Sequence, residues 1–62
     1  MEFRVGQRVN AEKYGDGRIT GIDKFYAIVY VEWDEPHDQH GTRKLALPEE
    51  WLAEHGQIIA RA

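Results

Sequence analysis

Apolar positions along the chain fall in short clusters separated by glycine, proline or charge. Most of those clusters keep the two-residue spacing of strands rather than the spacing of helices. The clearest is the run over residues 26–33, Tyr-Ala-Ile-Val-Tyr-Val-Glu-Trp, which is β-branched and aromatic and holds no glycine or proline. Residues 5–13 predict a first strand with an early bend at Gly6 and with Val5 and Val9 inward. Tyr14-Gly15-Asp16-Gly17 predicts a turn, since glycines beside an aspartate supply positive φ at low cost. Residues 18–23 predict a second strand. Its Ile19 and Ile22 are three apart, so strict alternation fails, and Gly21 is the natural place for a bulge that restores it. Lys24-Phe25 is then a tight connection into the third strand.

Residues 34–41 are a polar loop, and residues 42–47 predict a fourth strand with Leu45 and Leu47 on one face. Residues 48–55 predict a short helix. Pro48 suits its first position, Glu49 and Glu50 suit the positive end of its dipole, and Gly56 is a plausible stop. Residues 57–62 predict a closing strand with Ile58 and Ile59. The 62 residues suffice for one domain, residues 1–62, with a thin core. Five short strands and one helical turn or two fit an all-β, partly closed barrel plugged by the helix before its last strand.

Certain residues in this order carry a likeness. Val5-Gly6-Gln7-Arg8-Val9, Tyr14-Gly15-Asp16-Gly17-Arg18-Ile19, Val29-Tyr30-Val31-Glu32-Trp33-Asp34 and Arg43-Lys44-Leu45-Ala46-Leu47 together resemble a Tudor/KOW-type SH3-like barrel. The pattern is similar to the C-terminal Tudor-like domain of UvrD/PcrA-type DNA repair helicases. It is similar in the same places to the RNA-polymerase-binding domain of CarD-like transcription regulators. The resemblance covers about residues 5–47, and residues 48–62 have no counterpart in it. It implies a five-stranded SH3-like barrel that binds RNA polymerase or another protein of a transcription or repair complex, sometimes nucleic acid, without catalysis.

Composition narrows the chemistry. There is no cysteine, hence no disulfide framework and no thiolate metal site, which fits a reducing, cytoplasmic setting. The start lacks the apolar run of a signal peptide, and no stretch approaches the roughly 20 apolar residues of a membrane span. A hydrophobic content of 42% is too high for a disordered chain. The formal charge of −3 argues mildly against duplex nucleic acid as the main partner, because phosphate binding draws on a local surplus of lysine and arginine.

Within the third strand, placing Ala27, Val29, Val31 and Trp33 inward turns Tyr26, Ile28, Tyr30 and Glu32 outward. The outward row Tyr26-Ile28-Tyr30 is either a docking patch or a second small core covered by Phe3, by Trp51-Leu52 or by the last strand. Tyr14 either joins Phe25 in an aromatic rim at the barrel mouth or closes the end of the core. Arg18, Lys24, Arg43 and Lys44 are candidates for contact with nucleic acid or an acidic partner, against the alternative of a solvated mixed-charge surface. His37 and His40 are three apart in the polar loop. With no second ligand cluster to complete a shell, neither a metal nor any other cofactor is expected. Thr20 and Thr42 lie near no recognisable base, so no enzymatic activity is expected. A homodimer remains an open alternative, since it would relieve a thin core.

Overall fold

The computed structural model describes residues 3–60. Its elements are β1 (Arg8–Ala11), β2 (Gly15–Asp23), β3 (Ile28–Trp33), β4 (Lys44–Pro48), α1 (Glu49–His55) and β5 (Gly56–Ala60). The five strands form one antiparallel sheet in the order β4-β3-β2-β1-β5. β4 and β5 are its two edges and do not pair, so the sheet is not closed. The short helix runs between these two edges and packs on both. Its Leu52 is fully buried and joins the main core.

One face of the sheet is apolar, and the register explains which residues share it. Val9 lies opposite Gly17, and Gly17 opposite Trp33; Ile19 faces Val31; Val29 faces Leu47. All of these are buried, and Phe3 and Leu52 join them. Burying each large apolar side chain contributes about 1.5–3 kcal/mol. The register of β2 against β3 shifts between Ile19 and Gly21, so the bulge lies where the broken alternation put it. Ile22 pairs with Val29 and turns back to the core half-buried.

Several boundaries differ from the sequence reading. The first strand is only Arg8–Ala11, because Gly6 adopts φ 95° and the chain before it folds into a turn. The Gln7 N–H donates to the Arg4 carbonyl at 3.2 Å, and Gln7 Oε1 accepts from the Arg4 N–H at 2.7 Å. That turn faces Val5 outward at 57% exposure and seats Phe3 in the core instead. β2 begins at Gly15 rather than Arg18. Gly17 is an inward strand position whose missing side chain admits the Trp33 ring, since a Cβ there would stand 2.7 Å from Trp33 Cε3. The third strand begins at Ile28, because residues 24–27 form the β2–β3 turn. Ala27 has φ 55°, lies in that turn and is exposed, not inward. β4 starts two residues later than residue 42 and takes in Pro48, which precedes α1 as its N-cap. The last strand starts at Gly56, and the expected positions 61 and 62 lie outside the described residues.

Candidate functional site

The four-residue turn between β2 and β3 displays the most exposed aromatic side chains among the described residues. Phe25 is 85% and Tyr26 70% exposed. Their rings meet edge to face with centroids 4.7 Å apart. The turn is held from below at three points. Asp23 Oδ1 accepts from the Phe25 N–H at 2.9 Å and from the Tyr26 N–H at 3.1 Å, and the Ala27 carbonyl accepts from the Glu49 N–H at 2.8 Å. Asparagine and aspartate hold turns by this chemistry, reaching the amides two and three positions on. Ala27 adopts a left-handed conformation that costs a residue with a Cβ about 1 kcal/mol. Beside the turn a cleft of about 640 Å³ is lined by Phe3, Arg4, Val5, Ile22, Lys24 and Glu49. The sequence reading missed this cleft, because it depends on the turn from Arg4 to Gln7 that parts Val5 from Phe3.

Tyr14 is placed elsewhere. It stacks on Trp33 with centroids 5.2 Å apart, meets Trp51 at 5.9 Å and meets the edge of His37 at 6.3 Å. It therefore closes the core at the β1–β2 end, while Phe25 stands past the opposite end of β2. The two do not form one rim. Further out on this end His55 lies over the Trp51 ring at 4.7 Å and donates from Nδ1 to the Glu12 carboxylate at 3.0 Å.

Of the elements expected to cover the outward row of β3, Phe3 and Leu52 lie in the main core instead. Tyr30 is 44% exposed and Ile28 is half-buried. Tyr26, assigned to the same row, belongs to the turn instead. The basic candidates separate as well. Arg18 and Lys44 flank Glu32 in one line across the sheet, and Arg43 lines the same cleft as Arg18 and Glu32. Lys24 lies past the far end of β2.

Arg8, which the sequence reading passed over, lines that cleft too and forms a two-pronged ion pair with Asp34. The first prong, Nη1 to Oδ1, is 2.9 Å. These hydrogen bonds hold the Asp34 carboxyl below the usual carboxylate range, and the charges of Arg18 and Arg43 add to the effect. Arg8 and Asp34 are 26 positions apart, so only the pairing of strands could reveal them.

In the polar loop Asp38 Oδ1 accepts from the N–H groups of Thr42 at 3.0 Å and His40 at 2.9 Å, which lowers the Asp38 pKa, Thr42 contributing most. The His37 N–H donates to the Thr42 carbonyl at 2.9 Å, and its ring rests against Tyr14. No group of three or more potential metal ligands gathers among the described residues. Among the same residues no helix is long and apolar enough to cross a membrane. The chain matches no family model, no curated protein and no solved structure.

Proposed function

We propose that the protein is a non-catalytic binding module whose partner is another protein, docked on the aromatic turn. One observation carries this reading: two large aromatic side chains stand in solvent on a turn that is tied down at three points and strained at Ala27. Exposed aromatics on a rigid support make strong anchors, because little rotamer entropy is lost when they are buried. Backbone strain held in place by surrounding hydrogen bonds is a mark of a selected shape. The cleft beside the turn, with Val5 and Ile22 in its wall, extends the apolar surface a partner would cover.

The finer fold reading belongs with this proposal. β5 lies beside β1, and α1 links the two edges of a sheet with register shifts in its β1–β5 and β2–β3 ladders. This order supports an SH3-like barrel that closes through side chains rather than through hydrogen bonds between β4 and β5. The resemblance to Tudor-like and CarD-like domains makes RNA polymerase and repair complexes the first partners to try.

The test is capture of proteins on the immobilised chain after nuclease treatment, wild type against a Phe25→Ala/Tyr26→Ala variant. A protein retained by the wild type and lost by the variant, with the melting temperature unchanged, is the expected result. Retention of the same proteins by both forms, or of none by the wild type, overturns the proposal.

A further inference from the structure

The outer face of the sheet, opposite the core, carries a second and chemically different surface. Two neighbouring rows of side chains cross it. One row is Arg18, Glu32 and Lys44, opposite each other on β2, β3 and β4, with Arg8 continuing it on β1. The next row is Gly21, Tyr30 and Ala46. Tyr30 thus has a glycine on one side and an alanine on the other, and no large side chain crowds its ring in that row. A cleft of about 350 Å³ lined by Thr20, Gly21, Tyr30, Lys44, Leu45 and Ala46 runs along it. Successive residues on one face of a strand are about 7 Å apart, so the ring and the charged row lie within one nucleotide's reach.

We propose that this face binds single-stranded nucleic acid, with a base laid on the Tyr30 ring and the adjoining phosphates held by Arg18, Arg43 and Lys44. Three features favour it. First, Arg8 and Arg18 are direct cross-strand neighbours. Like charges in that position repel, and the repulsion is relieved when an anion joins them. Asp34 already serves Arg8 in this way. Among the described residues Arg18, Arg43 and Lys44 form no close ion pair, although Arg18 and Arg43 act on Asp34 at longer range and Glu32 lies between Arg18 and Lys44.

Second, guanidinium groups hold phosphate by paired parallel hydrogen bonds. Third, an exposed aromatic ring on a sheet accepts any unpaired base, since every base has a π face. The Tyr30 ring packs near Gly21, where a Cβ would lie 3.4 Å from Cδ2. The ring remains 44% exposed. The overall charge of −3 does not decide the matter, because this face places Arg8, Arg18, Arg43 and Lys44 against Glu32, Asp16 and the already paired Asp34.

The test is fluorescence anisotropy with a labelled oligothymidine of about 12 nucleotides, a length within the usual span of such sites. Neutralising three phosphates gives log affinity a slope of about −2 against log salt. Arg18→Ala and Arg43→Ala are each expected to weaken binding and to reduce that slope by about 0.7. Tyr30→Ala is expected to weaken binding roughly tenfold, as loss of a stacked base does, while Tyr30→Phe keeps it. Glu32→Gln is expected to tighten it by removing the carboxylate between the cations.

Phe25→Ala/Tyr26→Ala is expected to leave it unchanged, which separates this surface from the aromatic turn. No binding at low salt, equal binding to the same sequence as a duplex, or arginine variants with the wild-type slope would each overturn the proposal. The arginines are outward, so their variants report on binding even if the Tyr30 variants fold poorly.

Discussion

The turns at the two ends of β2 both carry aromatic side chains, and they dispose of them in opposite ways. At the β1–β2 end Tyr14 folds inward over Trp33 and is roofed by Trp51. At the β2–β3 end Phe25 and Tyr26 touch each other and little else. The difference lies in what each turn gives up. Gly17 has no Cβ, so Trp33 reaches across to the β1–β2 end and offers Tyr14 a ring to stack on. Next to the other turn Gly21 faces outward, opposite Tyr30, and admits no ring into the core. The backbone of that turn is fixed by Asp23 and Glu49, in a form that points both rings away from the sheet. An aromatic in a turn is therefore structural or available for binding according to whether a neighbouring strand leaves space beneath it.

The largest expected effect tests the inward end. Trp33→Ala removes the ring under Tyr14 and should destabilise the protein by about 3–5 kcal/mol. Gly17→Ala, which drives a Cβ into the same ring, should cost about 1–3 kcal/mol through overpacking. At the outward end Phe25→Ala should change stability by less than about 0.5 kcal/mol. Urea unfolding of the three variants decides it. If Phe25→Ala costs as much as Gly17→Ala, the aromatic turn is a packing element and the contrast collapses.

Some of this contrast is written locally and some is not. The break in alternation between Ile19 and Ile22 located the bulge at Gly21 because it involves only near neighbours. The inward set Val29, Val31 and Trp33 was legible for the same reason. Tyr26 and Ala27 read as strand because they open a run dominated by β-branched and aromatic residues, yet the turn needs four residues once Asp23 captures two amides. An aspartate followed by a polar and two aromatic residues carries that signal faintly.

Val5 faces outward because it lies inside the turn from Arg4 to Gln7, whose Gly6 has a positive φ, while Phe3 precedes that turn and enters the core. The Arg8–Asp34 pair had no local trace at all, since it joins β1 to the end of β3 across the sheet. Period-two patterning fixes which face is buried, but not whether two edges meet, so the five strands and the helix were legible and the way the edges meet was not.

A smaller effect sharpens the outward end. Ala27→Gly removes the cost of a Cβ at φ 55° and adds freedom to the unfolded chain. The first effect exceeds the second, so the variant should gain roughly 0.5 kcal/mol in urea unfolding. Its turn should be less rigid, and partner affinity should fall as stability rises. A variant that is both more stable and equally tight in binding would show that the strain at Ala27 has no part in presenting the rings.

The smallest effect concerns the tie between the two sides of the sheet. The Asp34 carboxyl is lowered mainly by its hydrogen bonds with Arg8, and the Asp38 carboxyl mainly by the Thr42 amide. A carboxylate depressed in the folded state contributes stability that is fully present above its unfolded pKa, about 3.9 for aspartate. That contribution is lost as pH falls through the lower folded value. Acid should therefore loosen the loop between β3 and β4, which carries both aspartates and the His37 that abuts Tyr14.

Both side chains are exposed, so the effect should be modest and should shrink with added salt. Urea unfolding followed by tryptophan fluorescence from pH 6 to pH 2.5 measures it, with Asp34→Asn and Asp38→Asn for comparison. Each variant should be less stable than wild type near neutral pH and should approach it in acid. Wild type and variants that run parallel over the whole range would mean that these aspartates do not hold the loop. The inward packing of Tyr14 would then stand without their help.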